Sequence, residues 1–254
     1  MRRYRTLAEQ LRGQVGNLTA SVHMLTRLVR EQGGARDLEY LSIVNHSLYQ
    51  LLRTVNHLEL VGSEDPVFQP QAVDLTVLCG ELGDQVASLA EDVGLSFQYE
   101  CGPELLLTAA DGALLRQALL NLITNAMQSA GPGGHVGLRL SKSGGRAVMT
   151  VWDDGPGLQA ESVPEDCLLA SPRGLGLGLL AARRAASLHG GALVLENAGE
   201  NGVRAVLSLP LRTPDADAVK SPRMGYDGTG GFSPVLTELS PLLPFGVFLP
   251  DDVE

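Results

Sequence analysis

Asn121 and Asn125 stand four residues apart in LRQALLNLITNAMQSAG. On a helix that spacing puts both side-chain amides on one face, one turn apart. Asparagine is a modest helix former, so two on one face point to polar work, such as holding a hydrated Mg2+ ion beside phosphates. In VWDDGPGL, Asp153 closes a strand that Gly155 and Gly157 then break. A carboxylate at such a corner can accept a hydrogen bond from the amine of a base, and glycine leaves room for a flat ring. RGLGLGLLAARRAASLHGG, from Arg173 to Gly191, sets Gly174, Gly176 and Gly178 against the start of a helix. Glycine there lets backbone N–H groups approach an anion, and a helix N-terminus favours negative charge. Singly, each stretch also suits an ordinary turn or a solvated helix face. Their conjunction in this order is far rarer than any part.

The elements that must position these residues can be read from periodicity. Leu7, Leu11, Val15, Leu18, Val22, Leu25 and Val29 step by three and four, and Leu41, Val44, Leu48, Leu51, Val55 and Leu58 repeat the pattern. Gly33-Gly34 between them is a helix stop, so residues 1–61 are expected to form an antiparallel helical hairpin. Two such helices bury one side each, and a second copy would complete a four-helix bundle; a homodimer is expected. Residues 62–73, with two prolines, are expected to be a linker. From 74 to 212 helices and mostly antiparallel strands alternate. Asp74 and Asp111 cap helices reaching about Asp92 and Ala130, LSFQYE and ELLLTA are strands, and two hairpins turn at KSGG and AGENG. The fold class expected is α+β: a two-layer α/β sandwich preceded by the hairpin. A Rossmann sheet is excluded, because EDCLLASPR before the glycines does not read as a strand. Residues 213–254 change to Pro, Gly, Ser and Asp and are expected to be disordered, with one apolar stretch. In that stretch Val235, Leu236, Leu239, Leu242 and Phe245 are candidate anchors, for a partner or for the chain's own domain.

N-x-x-x-N-A on a helix, D-x-G-x-G after a strand, then G-x-G-x-G opening a helix resembles the GHKL (Bergerat-fold) ATPases. Within them it is similar to the catalytic domain of two-component sensor histidine kinases, over about Gln71 to Leu211. The resemblance implies that ATP and Mg2+ are bound. It implies that Asn125 binds the ion, with Asn121 assisting, and that Asp153 holds the adenine amine above a floor made by Gly155 and Gly157. Gly174, Leu175, Gly176, Leu177 and Gly178 would form the phosphate lid. It also implies a response-regulator-like or other signalling partner. The chain departs from the pattern where Gln128 replaces a phosphate-contacting lysine, and where the stretch before Gly174 is short and lacks a phenylalanine-bearing box. Arg173, just before the lid glycines, is a candidate to offset the lost charge.

The hairpin resembles the dimerisation and phosphoacceptor domain of the same kinases, with one substitution that bears on chemistry. The acceptor motif aligns with EQLRGQV, and Glu9 stands where the histidine belongs. A carboxylate cannot form the phosphoramidate that an imidazole forms. Of the other histidines, His23 is on the same helix, His46 and His57 are on the next, and His135 and His189 lie in the catalytic domain.

Composition limits the remaining classes. A net charge of -10 argues against a nucleic-acid partner. No apolar run approaches a membrane span, and MRRYRT leads into an amphipathic helix rather than a signal sequence, so a cytoplasmic protein without membrane insertion is expected. Cys79, Cys101 and Cys167 are widely spaced and lack a C-x-x-C pair, which disfavours a disulfide frame or a zinc site.

Overall fold

The structure is a computed structural model that describes residues 2–63, 67–102, 105–158, 176–199, 201–212 and 232–249. The chain divides into two compact units, Met1–Pro66 with Met224–Glu254, and Val67–Arg223.

The first unit is built on the helical hairpin. Helix α1 (Arg2–Gln32) ends where the Gly33 N–H donates to the Val29 carbonyl at 2.7 Å. Helix α2 (Ala35–Gly62) starts where the Asp37 carboxylate accepts the Gly34 N–H at 2.8 Å. Val15 and Val22 of α1 and Leu41, Leu48 and Val55 of α2 form the buried seam. At the open end Arg12 donates to both oxygens of Glu59 and, at 2.8 Å, to Asn56. Leu18, Leu25 and Leu28 of α1 and Tyr40, Ile43 and Val44 of α2 remain exposed.

Residues 232–249 are structured, which corrects the expectation of disorder for that part of 213–254. A short helix, Pro234–Leu239, and a 3-10 turn, Phe245–Phe248, pack on α2. Phe232, Val235, Leu239, Leu243 and Phe248 are buried. The Tyr49 ring meets Phe232 edge-on at 4.8 Å and Phe248 at 5.0 Å. Of the anchors expected, Val235 and Leu239 are buried, Leu236 and Leu242 are half-buried, and Phe245 lies exposed against His46. Polar groups fix the register. Asn45 donates to the Phe248 carbonyl at 3.1 Å, and His46 Nε2 to the Ser240 carbonyl at 2.8 Å. The buried Glu238 carboxylate accepts from Arg53 Nε at 3.0 Å and from His57 Nε2 at 3.0 Å.

The second unit is a two-layer α+β sandwich. It opens with β1 (Gln71–Asp74), which begins inside the stretch expected as linker and pairs antiparallel with β3 (Leu107–Ala110). Helix α3 (Leu75–Asp92) is capped by Asp74, which accepts the Thr76 N–H at 2.9 Å. Helix α4 (Gly112–Ala130) is capped by Asp111, which accepts the Leu114 N–H at 3.1 Å. The main sheet comprises β2 (Ser96–Cys101), β4 (His135–Ser143), β5 (Arg146–Asp153), β6 (Ala192–Asn197) and β7 (Val203–Pro210), in the order β2-β4-β5-β7-β6. Only the β2–β4 pair is parallel within it. Helices α3, α4 and α5 (Leu177–Leu188) pack against the strands. Along the central β5, Ala147, Met149 and Val151 alternate inward to the core. The next inward position is Asp153, so the pleat that buries the core also buries a carboxylate. No helix among the described residues is long and apolar enough to cross a membrane.

Candidate functional site

A cavity of about 190 Å³ opens beside Asp153. Helix α4 lines it with Leu122, Asn125, Ala126 and Ser129, one face at helical spacing. Val151 and Asp153 of β5, Leu195 of β6, and Val203 and Ala205 of β7 line the sheet side, with Leu158 and Leu179 completing the wall. The lining is apolar apart from Asn125, Ser129 and Asp153. Its size is below the roughly 300–1,000 Å³ of pockets that enclose a whole ligand, so it suits one ring system with the rest of the ligand outside.

Asp153 is 5% exposed. Burial pushes its carboxyl above the ordinary aspartate range, and hydrogen bonds from the Gly155 N–H, the Ser129 hydroxyl and the Val203 N–H oppose that shift. The Gly155 N–H lies 2.9 Å from Asp153 Oδ1. These donors are all neutral, so the amine of a ligand would add to a carboxylate whose charge they do not balance. The neighbouring Asp154 behaves oppositely: exposed and bonded by the His135 N–H and ring, it is held below the ordinary range.

The loop behind Asp153 is fixed by close backbone approach. The Gly202 N–H donates to the Gly155 carbonyl at 2.7 Å, and the Leu158 N–H to Asn197 Oδ1 at 2.8 Å. A Cβ on Gly202 would collide with the Asp153 carbonyl oxygen, and φ there is +87°. A Cβ on Gly155 would collide with Ser129 Oγ and the Ser129 backbone. Both positions therefore admit no side chain without moving the aspartate corner.

The structure thus brings Asn125 and Asp153 to one cavity, with Gly155 and Gly157 in the loop that follows. Asn121 is one turn back and fully buried. Its Nδ2 donates to the Gln117 carbonyl at 3.0 Å, while its Oδ1 has no hydrogen-bond partner among the described residues. Gly176 is the N-cap of α5 with φ +65°, and among the described residues no side chain caps that helix, which leaves first-turn N–H groups for another acceptor. Leu177 and Gly178 are buried in the first turn. Gly174 and Leu175, together with Arg173, lie outside the described residues. Motif reasoning does not single out Ser129 or Gly202. Ser129 lies four residues beyond Asn125 on the same helix face, and that spacing is a usable signal; Gly202 reads as an ordinary turn glycine. His189 is structural: its Nδ1 donates to the Ala185 carbonyl and its Nε2 accepts the Asp111 N–H, joining α5 to the cap of α4.

Residues 110–213 match the family described as Histidine kinase-, DNA gyrase B-, and HSP90-like ATPase. Over those residues the second unit carries a GHKL ATPase domain, and the solved structures it resembles include histidine kinase catalytic domains. The catalytic domain of the histidine kinase ThkA is 26% identical, with a TM-score of 0.51 over 57% of this chain and 99% of that one. Full-length ShkA, solved in complex with AMPPNP, shares the fold with a TM-score of 0.67 at 24% identity, over 84% of this chain and 46% of that one. Among curated sequences, the Sensor protein KdpD of Escherichia coli (strain K12) is 28% identical over 216 residues, covering 81% of this chain and 20% of KdpD. The chain spans between 20% and 61% of the length of the first sensor kinases it matches. Within the ATPase domain, the amide pair on α4, the corner aspartate and the glycine-led α5 occur in the order read from the sequence.

Proposed function

We propose that the chain binds Mg-ATP at this cavity and transfers the terminal phosphoryl group to a protein acceptor, as part of a two-component type signalling system. The observation that carries this reading is Asp153, a carboxylate buried in an apolar slot and bonded by neutral donors. Such a group costs stability in a sheet core and is suited to pair with the exocyclic amine of adenine. The ribose and phosphates would extend past Asn125 toward the start of α5, where the backbone N–H groups of residues 176–178 would meet the phosphates.

The amides fit Mg2+. Asn125 lines the cavity, and the buried Asn121 Oδ1 has no partner among the described residues. Amide oxygens are hard donors, and Mg2+ is commonly held by few protein groups together with water and phosphates. Bound there, Mg2+ would supply charge neutralisation on the phosphates. Asn125 would be its protein ligand and Asn121 would assist.

The acceptor is the exposed histidine on α1 that makes no ion pair among the described residues, His23; His135 is exposed as well but is paired with Asp154 in the second unit. His57 is buried against Glu238, His46 is bonded to Ser240, His135 to Asp154, and His189 sits in the core. His23 is exposed on α1, the helix where the resemblance places an acceptor. A second reading is favoured by Glu9: the nucleotide site is kept, the acceptor is lost, and an ATP-bound dimer serves as a scaffold for a partner regulator. In both, the exposed stripes of α1 and α2 supply the homodimer interface, and a response-regulator-like protein is the partner class.

Incubation with ATP labelled at the γ-phosphate separates the two. The expected result is an acid-labile label on the chain that His23→Ala removes. Tight ATP binding with no label on the chain would overturn phosphoryl transfer to His23 and leave the scaffold reading.

A further inference from the structure

Cys79 and Cys101 are 22 positions apart in sequence, yet their side chains come close enough for each to shift the ionisation of the other. The packing of α3 on β2 explains why. The strand returns antiparallel to the helix, so an early helix position faces a late strand position. Gly83 lies one turn after Cys79, and Tyr99 lies two residues before Cys101. One turn of helix advances about 6 Å and two strand residues about 6.6 Å, so both pairs meet at once. A Cβ on Gly83 would collide with the Tyr99 ring, which means the helix backbone rests directly on the strand. The Tyr99 hydroxyl donates to Asp84 and fixes the same register. Close approach at 83/99 is what brings 79 and 101 within reach of a bond.

We propose that Cys79 and Cys101 are a thiol oxidation site that forms a reversible intrachain disulfide with a hydroperoxide as oxidant. The two thiols are not equivalent. Cys79 is fully buried, while Cys101, the last residue of an edge strand, is partly exposed. The neighbouring Cys101 side chain and burial push the Cys79 thiol up, and the Cys79 side chain beside it holds Cys101 below the ordinary range. Cys101 is the thiol that a hydroperoxide can reach, so its sulfur is the one that attacks. Its sulfur takes the terminal oxygen of the hydroperoxide, the O–O bond breaks, and the alcohol or water leaves with the proton, giving a sulfenic acid on Cys101. The Cys79 sulfur then attacks the Cys101 sulfur, the S–O bond breaks, and the Cys79 proton departs with hydroxide as water. Each disulfide consumes one hydroperoxide, reduced by two electrons. The bond fastens α3 to the sheet edge; α3 in turn contacts α4, where Arg116 donates to Glu81 at 3.1 Å and to Gln85 at 3.3 Å.

The test uses the full chain carrying Cys167→Ser, so that only this pair can react within one molecule. Hydrogen peroxide is expected to lower the intact mass by about 2 Da as two hydrogens are lost, with both thiols consumed. Peptide mapping should join the Cys79 and Cys101 segments, dithiothreitol should reverse the change, and the melting temperature should rise by several degrees. Cys79→Ser should stop at a sulfenic acid captured by dimedone, and Cys101→Ser should not react. Two free thiols after treatment, a bond joining two chains, or equal reactivity in Cys101→Ser would each overturn the proposal. Mapping the peroxide-treated unsubstituted chain reads the same bond without any substitution.

Discussion

Asp153→Asn is expected to weaken ATP binding by about 10- to 100-fold, on the order of the 1.5–3 kcal/mol of a hydrogen bond to a charged group. The substitution keeps the shape of the side chain, and its oxygen can still accept the Gly155 N–H at the place of Oδ1. The other oxygen is then replaced by an amide NH2, which presents a donor to the donor of an adenine amine. The same change has a consequence for pH that needs no ligand. Burial raises the carboxyl of Asp153, so the folded state holds its proton to higher pH than the unfolded chain does. The stability this group contributes is fully present below the ordinary aspartate value and is lost as pH rises through the raised one. The asparagine side chain does not titrate. Denaturation of both proteins across the acid range should therefore show the difference moving in favour of Asp153→Asn as pH rises through that window, and constant above it. A difference that moved in the opposite direction would mean that the folded state stabilises the carboxylate, and the apolar slot would lose its meaning.

Removing the carboxylate of Glu238 should have the largest effect on the helical unit. Glu238→Ala leaves Arg53 and the buried His57 without their shared acceptor. Breaking a buried pair by deleting one partner costs about 3–5 kcal/mol, because the remaining group stays buried and unmatched. Glu238→Gln retains one acceptor oxygen and should cost about 1–2 kcal/mol, near that of one unmade hydrogen bond. Hydrogen exchange of the full chain reads this locally. Amides of α2 from about residue 45 to 57 and of Pro234–Leu239 should lose protection together in Glu238→Ala, while α4 and the main sheet keep theirs. Unchanged protection on α2 would mean that residues 232–249 contribute little to holding that helix.

What the sequence makes legible is local. Asp74 and Asp111 announce helix starts by residue type, Gly33-Gly34 marks the hairpin turn, and alternation along RAVMTVWDD delivers Asp153 at the end of an inward-facing row. Each of these signals sits within one element and needs no partner. Features that depend on distant partners are not legible. The four residues of β1 carry no periodicity of their own and become a strand only beside β3. Residues 232–249 follow a Pro, Gly and Ser stretch that reads as disorder. Their order comes from a face of α2 far away in sequence, through contacts such as His46 with Ser240, 194 positions apart. Gly202 is defined by the Asp153 carbonyl pressed against it, and the Cys79–Cys101 pair by a helix lying on a strand. The candidate site can be read largely from order and spacing. Its apolar walls come from helices α4 and α5 and strands β5, β6 and β7, which no single motif contains.

The hollow between α4, α5 and the end of β5 is proposed to receive a nucleotide with its magnesium. Calorimetric titration of the full chain with a non-hydrolysable ATP analogue reads that binding without any chemistry. The predicted result is saturable binding at one site per chain, weakened when Mg2+ is withheld and weakened at least about tenfold by Asp153→Asn. Absence of saturable heat, or binding that Asp153→Asn leaves unchanged, would contradict it.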